Sequence, residues 1–440
     1  MLHGKQHFCL LIAILIQICD GKSAKSNNKL MVLMIDGFKW DYFDLFEEGE
    51  LPGFEKWKSV GVQAEYLKPA FPTFTFVNLY SAMTGLHPES HGMVHNYMWD
   101  EVHQSEFLIG DNRPEQDQAF WWDGGEPFWI TAKRQELSSY MWYWNGCEVE
   151  IRGLRPDFCD VYQDNPNPSK DDFSAALGEA VAVMTNGSAD ITAVYYEQID
   201  AWGHDAGPGS DEVIARIREL DQILLDLQVD LDQHDDINVV MFSDHGMSQR
   251  VSQNGLVDIM EYIDWQTIDK AYGSKAGPVL QIWPEEGMNE LIYDALKEVD
   301  HMTIYRKEDI PERYHYKDHY RVSPLLIVAD EGYSILRPNL TSSADEGWHG
   351  YDNDLESMRG IFFARGPDFV SKSTVAGFEN IEIYNLMCHV TGVTAAPNNG
   401  SLDNVCHVLK DGCSSGDIAT HLSVNHFMLI SLLISVFVCM

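Results

Sequence analysis

The chain has 440 residues, 45% of them hydrophobic, which is enough to bury a large core in one extensive domain or in two to three smaller ones. Its formal net charge of −38 disfavours nucleic acids and anionic lipid headgroups as partners, because both are polyanions. A cationic substrate is compatible with this charge, although a need for solubility explains it equally well.

Both ends of the chain are predicted to be processing signals. Residues 1–24 contain the apolar run FCLLIAILIQIC after a lysine, which is typical of a secretory signal peptide and too short for a membrane span of ~20 residues. Residues 414–440 read as small residues, a polar spacer and a terminal apolar run, the order of a removed lipid (GPI) anchor signal with Ser414 or Ser415 as the attachment site. A tail-anchored helix is the alternative, for which the apolar run is short.

Three runs predict buried strands between these ends. They are KLMVLMIDG (29–37), DITAVYYEQID (190–200) and INVVMFSDHG (237–246), all nearly continuous in apolar residues. The segment between the last two repeats its apolar residues at helical spacing, from Val213 to Leu227. We therefore predict an α/β fold with a doubly wound, mostly parallel central sheet and helices on both faces.

The same three runs end in carboxylates. Asp36, Asp200 and Asp244 follow the predicted strands, and the carboxyl ends of parallel strands lie at one edge of a sheet. A single aspartate there is more often a turn or helix-cap residue. Histidines stand close by in the sequence, however, at His204 and His245.

A third histidine, His349, lies far downstream in a glycine-flanked loop. Carboxylate and imidazole together form a zinc ligand set, and two metals could clamp the two oxygens of a phosphoryl displacement. The stretch FPTFTFVN adds two hydroxyls, Thr73 and Thr75, inside an otherwise apolar run. Either these threonines pack in a helix start, or one of them is a nucleophile.

The ordered set of these residues resembles the nucleotide pyrophosphatase/phosphodiesterases of the alkaline phosphatase superfamily. The likeness runs from about residue 29 to residue 410 and includes TGLHPESHG, GEPFWITAKRQ, EQIDAWGHDAGP, SDHGM and MRGIFFARGPDF. It implies that residues 25–413 form one phosphodiesterase catalytic domain with an alkaline-phosphatase-like fold.

The resemblance also implies a site with two zinc ions per subunit. Asp200, His204 and His349 would hold one zinc, and Asp36, Asp244 and His245 the other, with Thr75 beside it as nucleophile and metal contact. Asn96 would donate a hydrogen bond to a phosphate oxygen.

Within the family the stretch Asn96-Tyr-Met-Trp-Asp is most similar to the choline-specific glycerophosphodiesterases. That implies hydrolysis of glycerophosphocholine or lysophosphatidylcholine with release of phosphocholine. Tyr195 would then face the trimethylammonium group, with Trp99, Trp121 and Trp122 as weaker candidates.

Two positions depart from that subgroup, since Thr75 stands where serine is usual and Val77 where the family has proline. A nucleotide phosphodiesterase with the same metal site is the alternative, and a non-catalytic, lipid-anchored binding protein is a third possibility.

The cysteines and glycosylation sequons suit an extracellular protein. Removal of both ends leaves five cysteines, an odd number. One arrangement pairs Cys147 with Cys159 and Cys388 with Cys406, leaving Cys413 for an interchain bond in a homodimer; other pairings stay open. The sequons are at Asn186, Asn339 and Asn399. We therefore expect a membrane-attached protein on the extracellular face of the plasma membrane.

Overall fold

The structure is a computed structural model, and it describes residues 29–110, 116–163, 167–251, 255–336 and 345–413. The predicted signal peptide (1–24), the predicted anchor signal with Ser414 and Ser415, and the sequon at Asn339 lie outside the described residues. Among the described residues, no helix combines the length and apolar character that crossing a membrane requires.

The described α-helices are, in chain order, α1 (Pro52–Val60), α2 (Thr75–Thr84), α3 (Pro88–His91), α4 (Phe128–Arg134), α5 (Lys170–Thr185), α6 (Gln198–Ala206), α7 (Asp211–Leu231), α8 (Asn289–Leu296) and α9 (Glu382–Thr391). The described strands are β1 (Lys29–Ile35), β2 (Val62–Ala64), β3 (Leu67–Lys68), β4 (Tyr97–Asp100), β5 (Ser105–Leu108), β6 (Ser139–Trp142), β7 (Phe158–Asp160), β8 (Ile191–Tyr196), β9 (Ile237–Phe242), β10 (Ser248–Gln249), β11 (Leu256–Asp258), β12 (Ile268–Gly273), β13 (Ala276–Gly277), β14 (Val279–Pro284), β15 (Met302–Arg306), β16 (Leu325–Ala329), β17 (Ser334–Leu336), β18 (Gly347–Trp348), β19 (Phe362–Arg365), β20 (Ser373–Val375) and β21 (Phe378–Glu379).

A central sheet of eight strands carries the fold, in the order β20-β2-β19-β9-β1-β8-β6-β7. β1 pairs in parallel with both β8 and β9, and β8, β6 and β7 continue in the same direction. The predicted mostly parallel sheet is therefore confirmed. β19 is the exception, because it runs antiparallel to both β9 and β2.

Helices cover both faces of this sheet, as the continuous apolar strands require. Successive side chains of β1 point to opposite faces, so that Met31 packs into one core and Val32 into the other. The first core is covered by α1, α5 and α7, and the second by α2, α4 and α9.

The long helix α7 shows how the sequence specifies this layer. The Ser210 side chain accepts a hydrogen bond from the Val213 backbone N–H and caps the helix start. The predicted apolar stripe from Val213 to Leu227 is buried against the sheet. Each such aliphatic side chain contributes roughly 1.5–3 kcal/mol of burial free energy, which fixes which face of α7 turns inward.

A second, smaller sheet of four antiparallel strands lies between β9 and β19 in the chain, in the order β12-β14-β16-β15. It has its own core, to which α8 contributes Ile292 and Leu296. This part of the chain separates the ligands that follow β8 and β9 from His349, and it folds back so that β18 pairs with β10.

The disulfides confirm one predicted pair and correct the other. Cys147 is bonded to Cys159. Cys406 is bonded to Cys413 rather than to Cys388, so the Cys388–Cys406 pair was wrong, and Cys413 is not free for the predicted interchain bond. Cys388 is a buried free thiol on α9. The reason is geometric, because the short turns after Cys406 bring its Cα to 5.2 Å from that of Cys413.

Candidate active site

Three neighbouring parallel strands deliver three carboxylates to one edge of the central sheet. Asp36 directly follows β1, Asp244 follows β9 by two residues, and Asp200 lies in the first turn of α6, which begins just after β8. Gly37 makes the close approach possible, because a Cβ there would lie 2.7 Å from the Asp200 Cβ, and its φ of +65° is left-handed.

Histidines complete two clusters around these carboxylates. The His245 Nε2 lies 3.4 Å from the Asp36 Oδ1 and 3.2 Å from the Asp244 Oδ2. The Asp200 Oδ2 lies 3.4 Å from the His204 Nε2, and its Oδ1 lies 3.7 Å from the His349 Nε2. The six ligands predicted from the sequence therefore come together at one edge of the sheet. Asp36, Asp244 and His245 form one compact cluster as the resemblance implied, whereas the second compact cluster is Asp200, His349 and the shared His245, with His204 contacting Asp200 from outside it. We call these six residues together with Thr75 the ligand edge.

The carboxylates each present an oxygen that no hydrogen bond uses. Asp36 accepts a hydrogen bond from the Tyr195 hydroxyl on Oδ2, and Asp244 accepts one from the Gly37 N–H on Oδ1, at 3.2 Å. The other oxygen of each, and the Asp200 Oδ1, are buried without a hydrogen-bond partner in the described part of the chain. A buried carboxylate oxygen left unpaired is costly, so these three oxygens are placed to bind a cation.

Backbone contacts orient the three imidazoles so that Nε2 of each points towards the carboxylates. His204, His245 and His349 each donate from Nδ1 to a backbone carbonyl, of Gly347, Gly246 and Thr73 respectively, at 2.9 Å in each case. A proton fixed on Nδ1 leaves the Nε2 lone pair free, which is the arrangement of a metal-binding histidine and its supporting contact. The nitrogen and oxygen donors fit zinc, and all three Nε2 atoms face the carboxylates.

Burial and, second to it, neighbouring charges shift the pKa values of three of these ligands. Burial and then the charges of Asp244 and Asp200 raise the pKa of Asp36 well above its usual range. Burial is also the largest cause that raises the pKa of Asp244. Burial, followed by His245 and His204, lowers the pKa of His349 well below its usual range. A bound divalent cation would offset the cost of ionising these buried carboxyls, because it stabilises ionised carboxylates and neutral imidazoles.

Thr75 stands at the first position of α2, with its Oγ1 3.3 Å from the His245 Nε2 and its side chain 8% exposed. Thr73 differs clearly, because its Oγ1 accepts from the Gly350 N–H at 2.9 Å and donates to the Tyr351 carbonyl at 3.2 Å. Thr73 thus anchors the loop of His349, and Thr75 is the hydroxyl that faces the ligands.

Asn96, to which the resemblance gives the role of donor to a phosphate oxygen, contacts the residue that follows Thr75. Its Oδ1 accepts a hydrogen bond from the Phe76 N–H at 3.1 Å, and the side chain is 5% exposed. With the oxygen held by the backbone, the amide nitrogen is the atom left to donate towards a group bound at Thr75. A donor there would stabilise charge on a phosphate oxygen.

A cavity of about 640 Å³ opens in front of the ligand edge. Phe76, Trp122 and Tyr162 line it, and we call these three side chains the aromatic wall. The carboxylates of Asp117, Glu148 and Glu197 also line the cavity. The sequence alone had not singled out Phe76 as a substrate contact, nor Tyr162 or any of these three carboxylates. Tyr162 follows β7, which is too short and too exposed to give the apolar strand pattern on which the strand-end argument depends.

Of the aromatic contacts predicted from the sequence, Tyr195 and Trp122 line the cavity, and Trp99 and Trp121 do not. Tyr195 lines the cavity but is 3% exposed, and its hydroxyl is engaged with Asp36. Trp99 stacks on Tyr272 with ring centroids 6.0 Å apart, and Trp121 is buried in the core. Trp122 is the predicted tryptophan that lines the cavity, but its side chain is only 1% exposed and packs mainly within the core.

Known proteins are similar to this chain in sequence and in fold. The family model described as type I phosphodiesterase/nucleotide pyrophosphatase matches residues 30–352. The bis(5'-adenosyl)-triphosphatase ENPP4 of Mus musculus is 34% identical over 430 residues, which cover 95% of this chain and 90% of that protein. A venom phosphodiesterase of Naja atra is 34% identical over 397 residues, 87% of this chain and 46% of that longer protein.

A solved structure agrees with these relatives. The murine ectonucleotide pyrophosphatase/phosphodiesterase 5, as an inactive variant in complex with AMP, superposes with a TM-score of 0.79 at 33% identity and covers 87% of this chain and 100% of that chain. The predicted alkaline-phosphatase-like α/β fold is therefore confirmed. From its fold and its sequence, this chain belongs to the type I phosphodiesterase/nucleotide pyrophosphatase family.

Proposed function

We propose that the chain hydrolyses phosphodiester or pyrophosphate bonds of nucleotides through a covalent intermediate on Thr75. The observation that carries this proposal is the position of Thr75, whose hydroxyl faces the ligand edge at the floor of a cavity with an aromatic wall. Planar bases stack on aromatic rings, so the wall suits a nucleoside better than an alkyl alcohol. The AMP complex of the murine relative and the triphosphatase activity that names ENPP4 point in the same direction.

Two zinc ions are the proposed cofactors. Asp200, His204 and His349 would hold one ion, and Asp36, Asp244 and His245 the other. When bound, zinc would lower the pKa of a coordinated hydroxyl or water, and it would place positive charge opposite the phosphate oxygens.

The side chains supply the remaining chemistry. The Thr75 Oγ1 forms a bond to phosphorus as the bond from phosphorus to the leaving oxygen breaks, and the hydroxyl proton passes to water. The Asn96 amide donates to a non-bridging oxygen, where negative charge grows. Water then attacks the phosphothreonine ester, releases the nucleoside monophosphate and restores the Thr75 hydroxyl.

A choline phosphodiester is the second candidate substrate. Cavity carboxylates such as Glu148 and Glu197 lie near aromatic rings, a combination that also binds a trimethylammonium group. In the structure Tyr195 supports Asp36 and is almost fully buried, which weakens the aromatic contact first expected for choline. The nucleotide proposal therefore has the stronger support.

Steady-state kinetics separate the two candidates. The full-length protein loaded with zinc would be assayed with thymidine 5'-monophosphate p-nitrophenyl ester and with glycerophosphocholine. We expect kcat/KM to be at least roughly tenfold higher for the thymidine ester, because a base can stack on the aromatic wall. A higher value for glycerophosphocholine would transfer the assignment to the choline candidate.

We further propose that the protein acts outside the cell and is lipid-anchored. The support is the apolar start of the chain, the anchor-like residues 414–440 and the two disulfides, which form in oxidising compartments. Asn186 and Asn399 are exposed, as glycan acceptors must be. Release of the protein from intact cells by a phospholipase specific for GPI anchors would support this assignment, and retention would contradict it.

A further inference from the structure

Glu197 connects the aromatic wall to the helix that carries two of the ligands. It immediately precedes α6, on which Asp200 and His204 lie, and its side chain lines the cavity. Its two carboxylate oxygens are engaged by residues that come from after β7. Tyr162 donates its hydroxyl proton to Oε2, and the Asn167 amide donates to Oε1.

The structure of α6 argues against an ordinary capping role for this side chain. Glu197 occupies the N-cap position, where the shorter side chains of Ser, Thr, Asp or Asn commonly accept a hydrogen bond from the first helical turn. No side-chain capping bond is formed there. The carboxylate instead reaches away from the helix, to Tyr162 and Asn167.

Tyr162 lies just beyond the last strand of the central sheet, where side-chain contacts position its ring. It follows β7, a three-residue strand at the end of the central sheet whose side chains are largely exposed. Tyr195 meets the Tyr162 ring edge to face, with centroids 5.6 Å apart and planes at 74°. The Tyr195 contact restrains the ring from one side, and the hydrogen bond to Glu197 restrains its hydroxyl end.

We propose that Glu197 is a positioning residue that sets the affinity for nucleosidic substrates by holding the Tyr162 ring as a wall of the base site. It acts on binding of the base and leaves the step at phosphorus unchanged. The proposal rests on the proposed nucleotide function, and it names the contact through which this chain selects a substrate with an aromatic base.

Two esters with the same leaving group test the proposal. One is thymidine 5'-monophosphate p-nitrophenyl ester, and the other is methyl p-nitrophenyl phosphate, which has no base. In Glu197→Ala we expect KM for the thymidine ester to rise roughly tenfold, the size of one lost base–aromatic contact, with kcat changed by less than about twofold. The kcat/KM of the methyl ester should also stay within about twofold.

Two further variants test whether the hydrogen bond from Tyr162 to Glu197 is responsible for the change in KM. Tyr162→Phe keeps the ring but removes the hydroxyl, and should raise KM for the thymidine ester alone. Glu197→Gln keeps an acceptor oxygen for Tyr162 and should restore part of the lost affinity. In the double variant Glu197→Ala/Tyr162→Phe, the increase should not exceed that of the stronger single variant, because both changes break one bond.

Asp117→Asn is the control for charge, since Asp117 lines the same cavity and its removal also deletes one carboxylate. If the loss of one negative charge in the cavity were the cause, Asp117→Asn would change kcat/KM of both esters by the same factor. An equal loss of kcat on both esters in Glu197→Ala would overturn the proposal, because Glu197 would then act through α6 and its ligands. An unchanged KM for the thymidine ester in Glu197→Ala and Tyr162→Phe would overturn it as well. If the unmodified protein hydrolyses both esters with equal kcat/KM, the proposed nucleotide function itself fails.

Discussion

The two sides of the cavity are built in different ways. On the ligand edge, backbone groups hold the side chains, as when His349 donates to the Thr73 carbonyl and Gly37 donates to Asp244. On the aromatic wall, Tyr162 is held by side chains, through Glu197 and Tyr195. Backbone anchors at the ends of central strands are rigid, whereas side-chain anchors in loops can change by single substitutions. Tyr195 is common to both sides, because it donates to Asp36 and packs against Tyr162, so the substitutions below test how independent the two sides are.

The largest effect should come from the nucleophile on the ligand edge. Thr75→Ala removes the hydroxyl, so we expect kcat to fall by roughly three or more orders of magnitude while zinc is still bound. Thr75→Ser keeps a hydroxyl and should remain active. Turnover and metal content of the purified variants would be measured together. Full activity in Thr75→Ala would remove Thr75 from the reaction.

Thr73→Ala is the matched control for that variant. It deletes a neighbouring threonine hydroxyl that contacts the backbone of Gly350 and Tyr351 and the sulfur of Met358, and none of the six ligands. We expect a smaller decrease in activity, together with a lower melting temperature, because the loop of His349 loses its anchor.

Removal of metal should have the next largest effect. The three unpaired carboxylate oxygens and three oriented imidazoles predict about two zinc ions per chain. A chelator should abolish activity, zinc should restore it, and His349→Ala should lower the metal content by about one ion. Elemental analysis provides the count. Active protein that contains no transition metal would contradict the proposed zinc site at the ligand edge.

A change in the aromatic wall should affect binding and spare the chemistry. Phe76→Ala should raise KM for the thymidine ester by roughly tenfold with little change in kcat, since a base would lose one stacking face. Phe76→Leu keeps an apolar side chain of similar volume and separates stacking from simple burial. A large fall in kcat for the methyl ester in Phe76→Ala would show that the wall and the ligand edge are not independent.

Glu148 should give the smallest effect, on stability rather than on turnover. Burial is the largest cause that raises its pKa, from 4.5 to about 7. A carboxyl whose pKa is raised by folding binds its proton more tightly in the folded state, so its contribution to stability is lost as the pH rises from about 4.5 to about 7.

The loss has an upper limit of about 3 kcal/mol, at about 1.4 kcal/mol for each pH unit, and we expect on the order of 1 kcal/mol because the side chain borders an open cavity. Glu148→Gln should lack this component and should lose less stability than the parent between pH 5 and pH 8. Chemical unfolding of both proteins at the two pH values would measure it. Parallel pH profiles would show that Glu148 does not titrate in this range.

The same contrast explains what could be predicted from the sequence. Asp36, Asp200 and Asp244 each follow a long apolar strand, so the parallel sheet and its carboxyl edge could be predicted from the chain alone. Tyr162 follows a short, exposed strand with little apolar pattern, and its approach to Glu197 depends on a loop. Side-chain contacts between loops have no periodic signature, which is why most of the aromatic wall was missed.

The cysteine pairing could also be predicted only in part, because it depends on contacts that have no sequence pattern. Cys147 precedes β7 and Cys159 lies within it, so the two are close in the chain and a local pair is the simplest prediction. Cys388 is buried on α9, and the close approach of Cys406 and Cys413 depends on the turns between them. The antiparallel direction of β19 likewise follows from the path of the second sheet, which no local pattern encodes.

The stereochemical course at phosphorus tests the central claim most directly. A nucleotide phosphorothioate diester of known configuration at phosphorus would be hydrolysed by the zinc-loaded protein in isotopically labelled water, and the configuration at phosphorus of the nucleoside phosphorothioate product would be determined. Attack by Thr75 followed by attack of water comprises two in-line displacements, each of which inverts phosphorus, so the account predicts net retention. Net inversion would mean that water attacks directly, and it would contradict a covalent intermediate on Thr75.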